Sequence, residues 1–326
     1  MLGIQVERFN IKMALFDNHN NKKLEITDIP FSIDEEVSVV EHLYEKANEL
    51  LQSSGIDQDK LLGIGISMPG LVSSEEGKNF TYFLKEEESE SLEHLLRQKF
   101  KKPVYILNDA KSACLAESNF GLAKHKKDVL VISMDWGIGL GIIIDGKTYQ
   151  GSSGFAGEFG HIPLIDDGIL CYCGKRGCLE TVASGMAIVR IAKEGISAGE
   201  SSILSNLSKK EIERLQPESI IDAANKGDQF AIKVLSEAGI NLGKAIAIII
   251  QLFNPELIIL EGKFADAKQL ITTPIQQSIN KYCMVQLREK TVISLSNIGK
   301  DSILLGSVAT VMEKVFENQI KITHNL

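Results

Sequence analysis

The stretch from Gly157 to Glu180 constrains this chain more than any other. It carries Cys171, Cys173 and Cys178 in the spacing C-x-C-x4-C, with His161 upstream and glycines at the turns between them. Zinc takes four sulfur or nitrogen donors in a tetrahedron, and Cys3His is one of its structural sets. Glycine suits such a loop because the backbone must turn sharply to aim several side chains at one point. The competing readings are three reduced thiols or a disulfide. No signal-peptide pattern is visible, and disulfides are rare in a reducing compartment. A loop fixed by a metal would also hold its flanks, and each flank carries a carboxylate, Glu158 before His161 and Glu180 after Cys178. Ionised carboxylates accept several hydrogen bonds, which suits the neighbouring hydroxyls of a sugar ring. Taken singly, each reads as a solvated surface charge. Their placement around one metal loop is what points to a ligand.

The pattern G-E-x-G-H followed by C-x-C-G-x2-G-C-L-E resembles the signature of the ROK family of bacterial sugar kinases and sugar-responsive repressors. The resemblance covers essentially the whole chain. It implies zinc on His161, Cys171, Cys173 and Cys178, and sugar contacts from Glu158, His161 and Glu180. It also implies an actin-like ATPase (ribonuclease H-like) α/β fold, with two related domains and a cleft between them.

The chain read in order supports an α/β class. Strand-like runs at 2–8, 11–17 and 24–29 precede a helical period over 33–53, with Val37, Val40, Leu43, Ala47 and Leu50 on one face. An apolar strand at 61–68 ends at Pro69-Gly70, a turn that the resemblance places beside the sugar. The acidic stretch 73–91 reads as a solvated loop entering a helix. A short strand at 104–107 ends in Asn108-Asp109, before a helix from Ala110. Asp109 is either an N-cap or a functional carboxylate at the C-terminal end of a strand. In the family's kinases the Asp of this N-D-A motif takes the proton of the sugar hydroxyl, and the functional reading is preferred. Strands at 128–135 and 140–144 repeat the opening unit, a weak internal duplication. A helix is expected at 182–193 and a long apolar one at 229–252. Then come a strand at 255–260, a helix at 265–282, a strand at 291–295 and a last helix at 301–316. By resemblance the last helix returns to the first domain. The expected domains are 1–108 with 303–326, and 109–302 with the zinc loop.

The family's kinases cradle ATP phosphates with two glycine-rich hairpins, D-x-G-G-T and G-T-G. Here the first reads Gln5-Val6-Glu7-Arg8-Phe9 and the second Asp135-Trp136-Gly137. The glycine pair on the adenosine side is replaced by Glu261-Gly262-Lys263-Phe264. The sugar and zinc elements are retained while the nucleotide elements are altered. That combination resembles the sugar-sensing body of xylose and N-acetylglucosamine repressors. The implied function is a zinc-stabilised effector domain that binds a monosaccharide or sugar phosphate. The alternative is an ATP-dependent ROK sugar kinase, with Asp109 as its base.

The chain opens on the first strand of the body. It is therefore either part of a longer regulator or a sensor that does not itself read DNA. The formal net charge of -8 and 6% aromatic content argue against a nucleic-acid-binding face or a base-stacking platform. No apolar run approaches the ~20 residues of a membrane span. A cytoplasmic protein forming homodimers or higher homo-oligomers is expected. Cys114 and Cys283 read as small core residues.

Overall fold

The computed structural model describes residues 1–33, 38–84 and 90–324, with side chains to 317. Val37 and the acidic run at 86–88 lie outside the described residues. The chain divides into two compact units, one of residues 1–124, 148–156 and 301–326, the other of 125–147 and 157–300. Residues 109–124 and 148–156 thus fall in the first unit, whereas the sequence reading assigned them to the second.

The first unit is built on five strands: β1 (Leu2–Val6), β2 (Asn10–Leu15), β3 (Thr27–Pro30), β4 (Ile64–Met68) and β7 (Val104–Asn108). The pair β5 (Val72–Ser73) and β6 (Lys78–Asn79) forms a separate small ribbon. The order is β3-β2-β1-β4-β7. Strands β1 and β2 pair antiparallel, and so do β2 and β3. Strands β1, β4 and β7 run parallel. The central strands β1 and β4 are buried at every position, as strands covered on both faces require. Helix α1 (Val39–Ser54) begins later than periodicity suggests because Ser38 caps it, accepting from the Glu41 N–H, and Gly55 ends it at φ 64°. Helices α2 (Leu92–Phe100) and α3 (Asp109–Phe120) complete this part.

The second unit repeats the plan with β8 (Val129–Met134), β9 (Ile138–Ile144), β10 (Lys147–Thr148), β11 (Leu257–Glu261) and β12 (Val292–Leu295). The order is β10-β9-β8-β11-β12, with β8 and β9 antiparallel and β8, β11 and β12 parallel. The two sheets share one strand order and one pattern of directions, so the internal duplication is complete at the level of the sheets. The helices of this unit are α4 (Glu180–Ala183), α5 (Gly185–Ser197), α6 (Lys209–Glu213), α7 (Pro217–Asn225), α8 (Gln229–Phe253), α9 (Gln269–Tyr282) and α10 (Val285–Arg288). A single helix over 182–193 is expected from periodicity. Instead Ser184 ends α4 and caps α5, accepting from the Ala187 N–H. The start of the expected helix at 265 is a 3-10 turn over Lys263–Ala267.

Helix α8 is long and apolar enough to cross a membrane by length and composition, but 61% of that window is buried. It serves as a core helix packed on α9 and α7.

The last helix, α11 (Ser302–His324), lies against β1, β4 and α3 of the first unit, as expected. Glycines make this approach possible. A Cβ on Gly65 would lie 1.9 Å from the Ser307 carbonyl, and one on Gly306 would lie 1.8 Å from that of Ser112.

Candidate functional site

Within the second unit, the chain after Glu158 makes a 3-10 turn over Phe159–His161 and then a loop folded on itself. Isolated bridges join Pro163 to Cys178 and Leu170 to Arg176. The Cys171 N–H donates to the Lys175 carbonyl at 2.7 Å, and the Gly174 N–H to the Cys171 carbonyl at 3.0 Å, closing the knuckle. Gly177 sits at φ 73°, where a Cβ would come within 1.8 Å of the Ile165 carbonyl. No side chain fits there.

These constraints bring His161, Cys171, Cys173 and Cys178 together, their ligand atoms all within 4.8 Å of one another. His161 Nδ1 lies 3.6 Å from Cys171 Sγ, and Cys173 Sγ lies 3.7 Å from Cys178 Sγ. A tetrahedron with metal–sulfur bonds of about 2.3 Å and metal–nitrogen bonds of about 2.05 Å has edges of about 3.8 Å (S to S) and about 3.6 Å (N to S). The donor set therefore has the chemistry and the spacing to hold a metal ion. Burial, and then the nearby Lys175 charge, lower the His161 pKa, favouring the neutral imidazole that metals bind. The remaining cysteines, Cys114 and Cys283, are buried in the core. Burial pushes the Cys114 thiol up to about 12.

With Nδ1 turned to the sulfurs, His161 Nε2 faces the Tyr172 hydroxyl at 3.1 Å. The two rings meet edge to face, with centroids 5.1 Å apart. Glu180, the first residue of α4, is only 4% exposed. Its Oε2 accepts from the Ile138 N–H at 3.0 Å, just past the hairpin turn Asp135-Trp136-Gly137. Its Oε1 has no hydrogen-bond partner among the described residues. Burial raises the Glu180 pKa to about 7; the Ile138 N–H and the Tyr172 hydroxyl oppose this, and the Glu158 charge adds to it. Glu158 itself is exposed. Glu158, His161 and Glu180 therefore stand around one loop, with a buried carboxylate oxygen left for a donor.

The first unit holds the other expected residues. Asn108 caps α3, its Oδ1 accepting from the N–H groups of Ala110 and Lys111. Its Nδ2 donates to the Gly70 carbonyl at 2.9 Å, tying the strand end to the Pro69-Gly70 turn. Gly70 has φ 93°, and a Cβ there would lie 2.8 Å from the Thr81 side chain. Asp109 is the first residue of α3, its Oδ1 accepting from the Ala110 N–H at 2.8 Å; the cap itself is Asn108, not Asp109.

The altered hairpins are filled by the protein's own side chains. At the first, Gln5 Nε2 donates to Glu7 Oε1 at 2.8 Å, and Lys12 is ion-paired to that same oxygen. Arg8 lies over the Phe9 ring at 5.6 Å. At the second, the Gly185 and Met186 N–H groups donate to the carbonyls of Asp135 and Trp136, at 2.9 and 3.1 Å. Lys263 Nζ bridges Asp135 at 3.2 Å and Glu218 at 3.0 Å. Sequence reasoning saw Lys263 as a lost glycine and missed its partners, because Asp135, Glu218 and Lys263 are far apart in the chain. Nor does the sequence give Tyr172 a role, since nothing in a C-x-C spacing says where the intervening side chain points.

The ROK family model matches residues 1–314. The chain is 31% identical to a xylose repressor of Caldicellulosiruptor bescii over 77% of its own length, and spans 63% of that protein. It is 31% identical to a glucokinase of Halalkalibacterium halodurans over 94% of its own length and 92% of the relative's. It is 29% identical to the DNA-binding transcriptional dual regulator NagC of Escherichia coli over all of its own length and 78% of the relative's. Among solved structures, a ROK family transcriptional regulator described as a homologue of the E. coli MLC protein superposes with TM-score 0.81 at 31% identity, covering 97% of this chain and 78% of that one. A ROK family glucokinase from Streptomyces griseus, in complex with glucose and AMPPNP, gives TM-score 0.79 at 27% identity, covering 94% and 97%. The fold is that of the actin-like ATPases, and the chain belongs to the ROK family.

Proposed function

We propose that this chain is the sugar-sensing effector domain of a ROK-family transcriptional regulator, with a structural zinc and no phosphoryl-transfer activity. The observation that carries this reading is the first hairpin. A phosphate cradle needs backbone N–H groups open to phosphate oxygens and an acid to organise magnesium. Here Glu7 is bonded to Gln5 and paired with Lys12, and Arg8 rests on Phe9. Phosphate would have to displace that network and meet a carboxylate. At the second hairpin Lys263 is engaged with Asp135 and Glu218. The carboxylates and imidazole expected to hold a sugar are, by contrast, all retained.

In this reading zinc sits on His161, Cys171, Cys173 and Cys178 and fixes the loop that presents Glu158, His161 and Glu180 to a monosaccharide or its phosphate. Gly70, Asn108 and Asp109 are further expected sugar contacts, with Asp109 a ligand rather than a base. Operator binding would fall to a separate module, the chain itself binding no DNA, and a homodimer is the expected assembly. The xylose repressor and NagC relatives support the reading. The glucokinase relative supports the alternative of an ATP-dependent sugar kinase with Asp109 as base.

Calorimetric titration with a panel of pentoses, hexoses and N-acetylhexosamines tests it. At least one sugar should bind, and Glu180→Ala should weaken that binding about 30-fold, as loss of a charged hydrogen bond of about 2 kcal/mol implies. Equal affinity in the variant would place the site elsewhere.

A further inference from the structure

We propose that Tyr172 is a built-in surrogate for a sugar hydroxyl, occupying His161 Nε2 in the unliganded protein, so that sugar binding requires its displacement. The inference rests on the sugar-binding reading above.

With Nδ1 committed to the metal cluster, Nε2 is the one ring nitrogen that His161 can offer outward, and in the neutral ring it carries the proton. The Tyr172 oxygen lies 3.1 Å from it, placed to accept. A phenol that accepts there still has its own O–H to give. A sugar hydroxyl at the same nitrogen would do the same, because every ring hydroxyl both accepts and donates.

The surrogate is built to leave. Tyr172 is 56% exposed, although it lies between two clustered cysteines. Rotation about its own side-chain bonds can clear the site without moving the Cys171 and Cys173 backbone. Meanwhile the hydroxyl occupies the imidazole nitrogen at 3.1 Å. The consequence is a tax on affinity: sugar must replace a hydrogen bond already made rather than fill an empty one.

The test is Tyr172→Phe, which keeps the ring and removes the hydroxyl. Zinc content should be unchanged by elemental analysis, and the affinity for whichever sugar binds the wild type should rise about two- to tenfold, the worth of one net hydrogen bond. Tyr172→Leu, which also removes the edge-to-face contact, should shift affinity in the same direction and serves if the Phe variant folds poorly. Wild-type binding with unchanged or weakened binding in both variants would overturn this inference alone, making Tyr172 inert or a sugar contact. Absence of any sugar binding in wild type and variants would overturn the sensing reading and this inference with it.

Discussion

The pairing of Glu180 with the second hairpin can be challenged at a residue outside the metal loop. Gly137 is not among the glycines with positive φ, so alanine there is not forced into the left-handed region. Its Cβ would, however, lie 2.7 Å from Glu180 Oε2, about 0.7 Å inside the 3.4 Å at which ordinary contact begins. The carboxylate must yield, because the clash is with the end of its side chain. A shift of that size can take the 3.0 Å bond from the Ile138 N–H beyond hydrogen-bonding range. Losing a bond to a charged acceptor costs about 1.5–3 kcal/mol. Gly137→Ala should therefore lower unfolding free energy by about 1.5–3 kcal/mol in urea and weaken sugar binding, while zinc stays bound. The pH dependence gives a second readout. Burial raises the Glu180 pKa from its ordinary value of 4.5 to about 7, and the Ile138 N–H opposes that rise. A raised folded-state pKa contributes stability that is full below about 4.5 and lost as pH rises through about 7. Without the Ile138 donor the upper limb of that loss should move to higher pH. A variant with wild-type stability, sugar affinity and pH profile would refute the proposed clamp.

Two other outcomes follow from the same geometry. Cys173→Ser should release the metal and abolish sugar binding together, since structural zinc is worth roughly 10–16 kcal/mol in small domains; elemental analysis and calorimetry on the same preparation check this. Asp228, the cap of α8, accepts from the N–H groups of Ala231 and Ile203 and from the Ser202 hydroxyl. Asp228→Ala should cost about 2 kcal/mol or more. Burial works to raise the Asp228 pKa, but these bonds together lower it, so the wild-type advantage should be present above about pH 4 and fade as pH falls through the lowered folded-state value. Urea melts across that range check the sign.

Most of the fold was legible because it is written in local terms: apolar runs of strand length, hairpin turns and one long apolar helix. The cluster was legible for the same reason, since three of its four ligands lie within eight residues. What escaped was set by single capping hydroxyls and by side-chain pairings that no periodicity reports. The end of α4 depends on Ser184 capping the next helix. The late start of α1 depends on one hydroxyl, that of Ser38. Glu7 stands in the sequence only as part of an altered hairpin, yet it is paired with Lys12 across that hairpin. The Lys263 bridge joins residues over a hundred positions apart.

The central claim is that a sugar-binding ROK body has given up phosphoryl transfer, and one assay addresses it directly. The purified chain, incubated with ATP, magnesium and the sugar panel, should yield no sugar phosphate above the enzyme-free rate, while the same preparation binds a sugar in calorimetry. Steady ATP-dependent formation of a sugar phosphate, abolished by Asp109→Asn, would contradict the claim and establish the chain as a kinase.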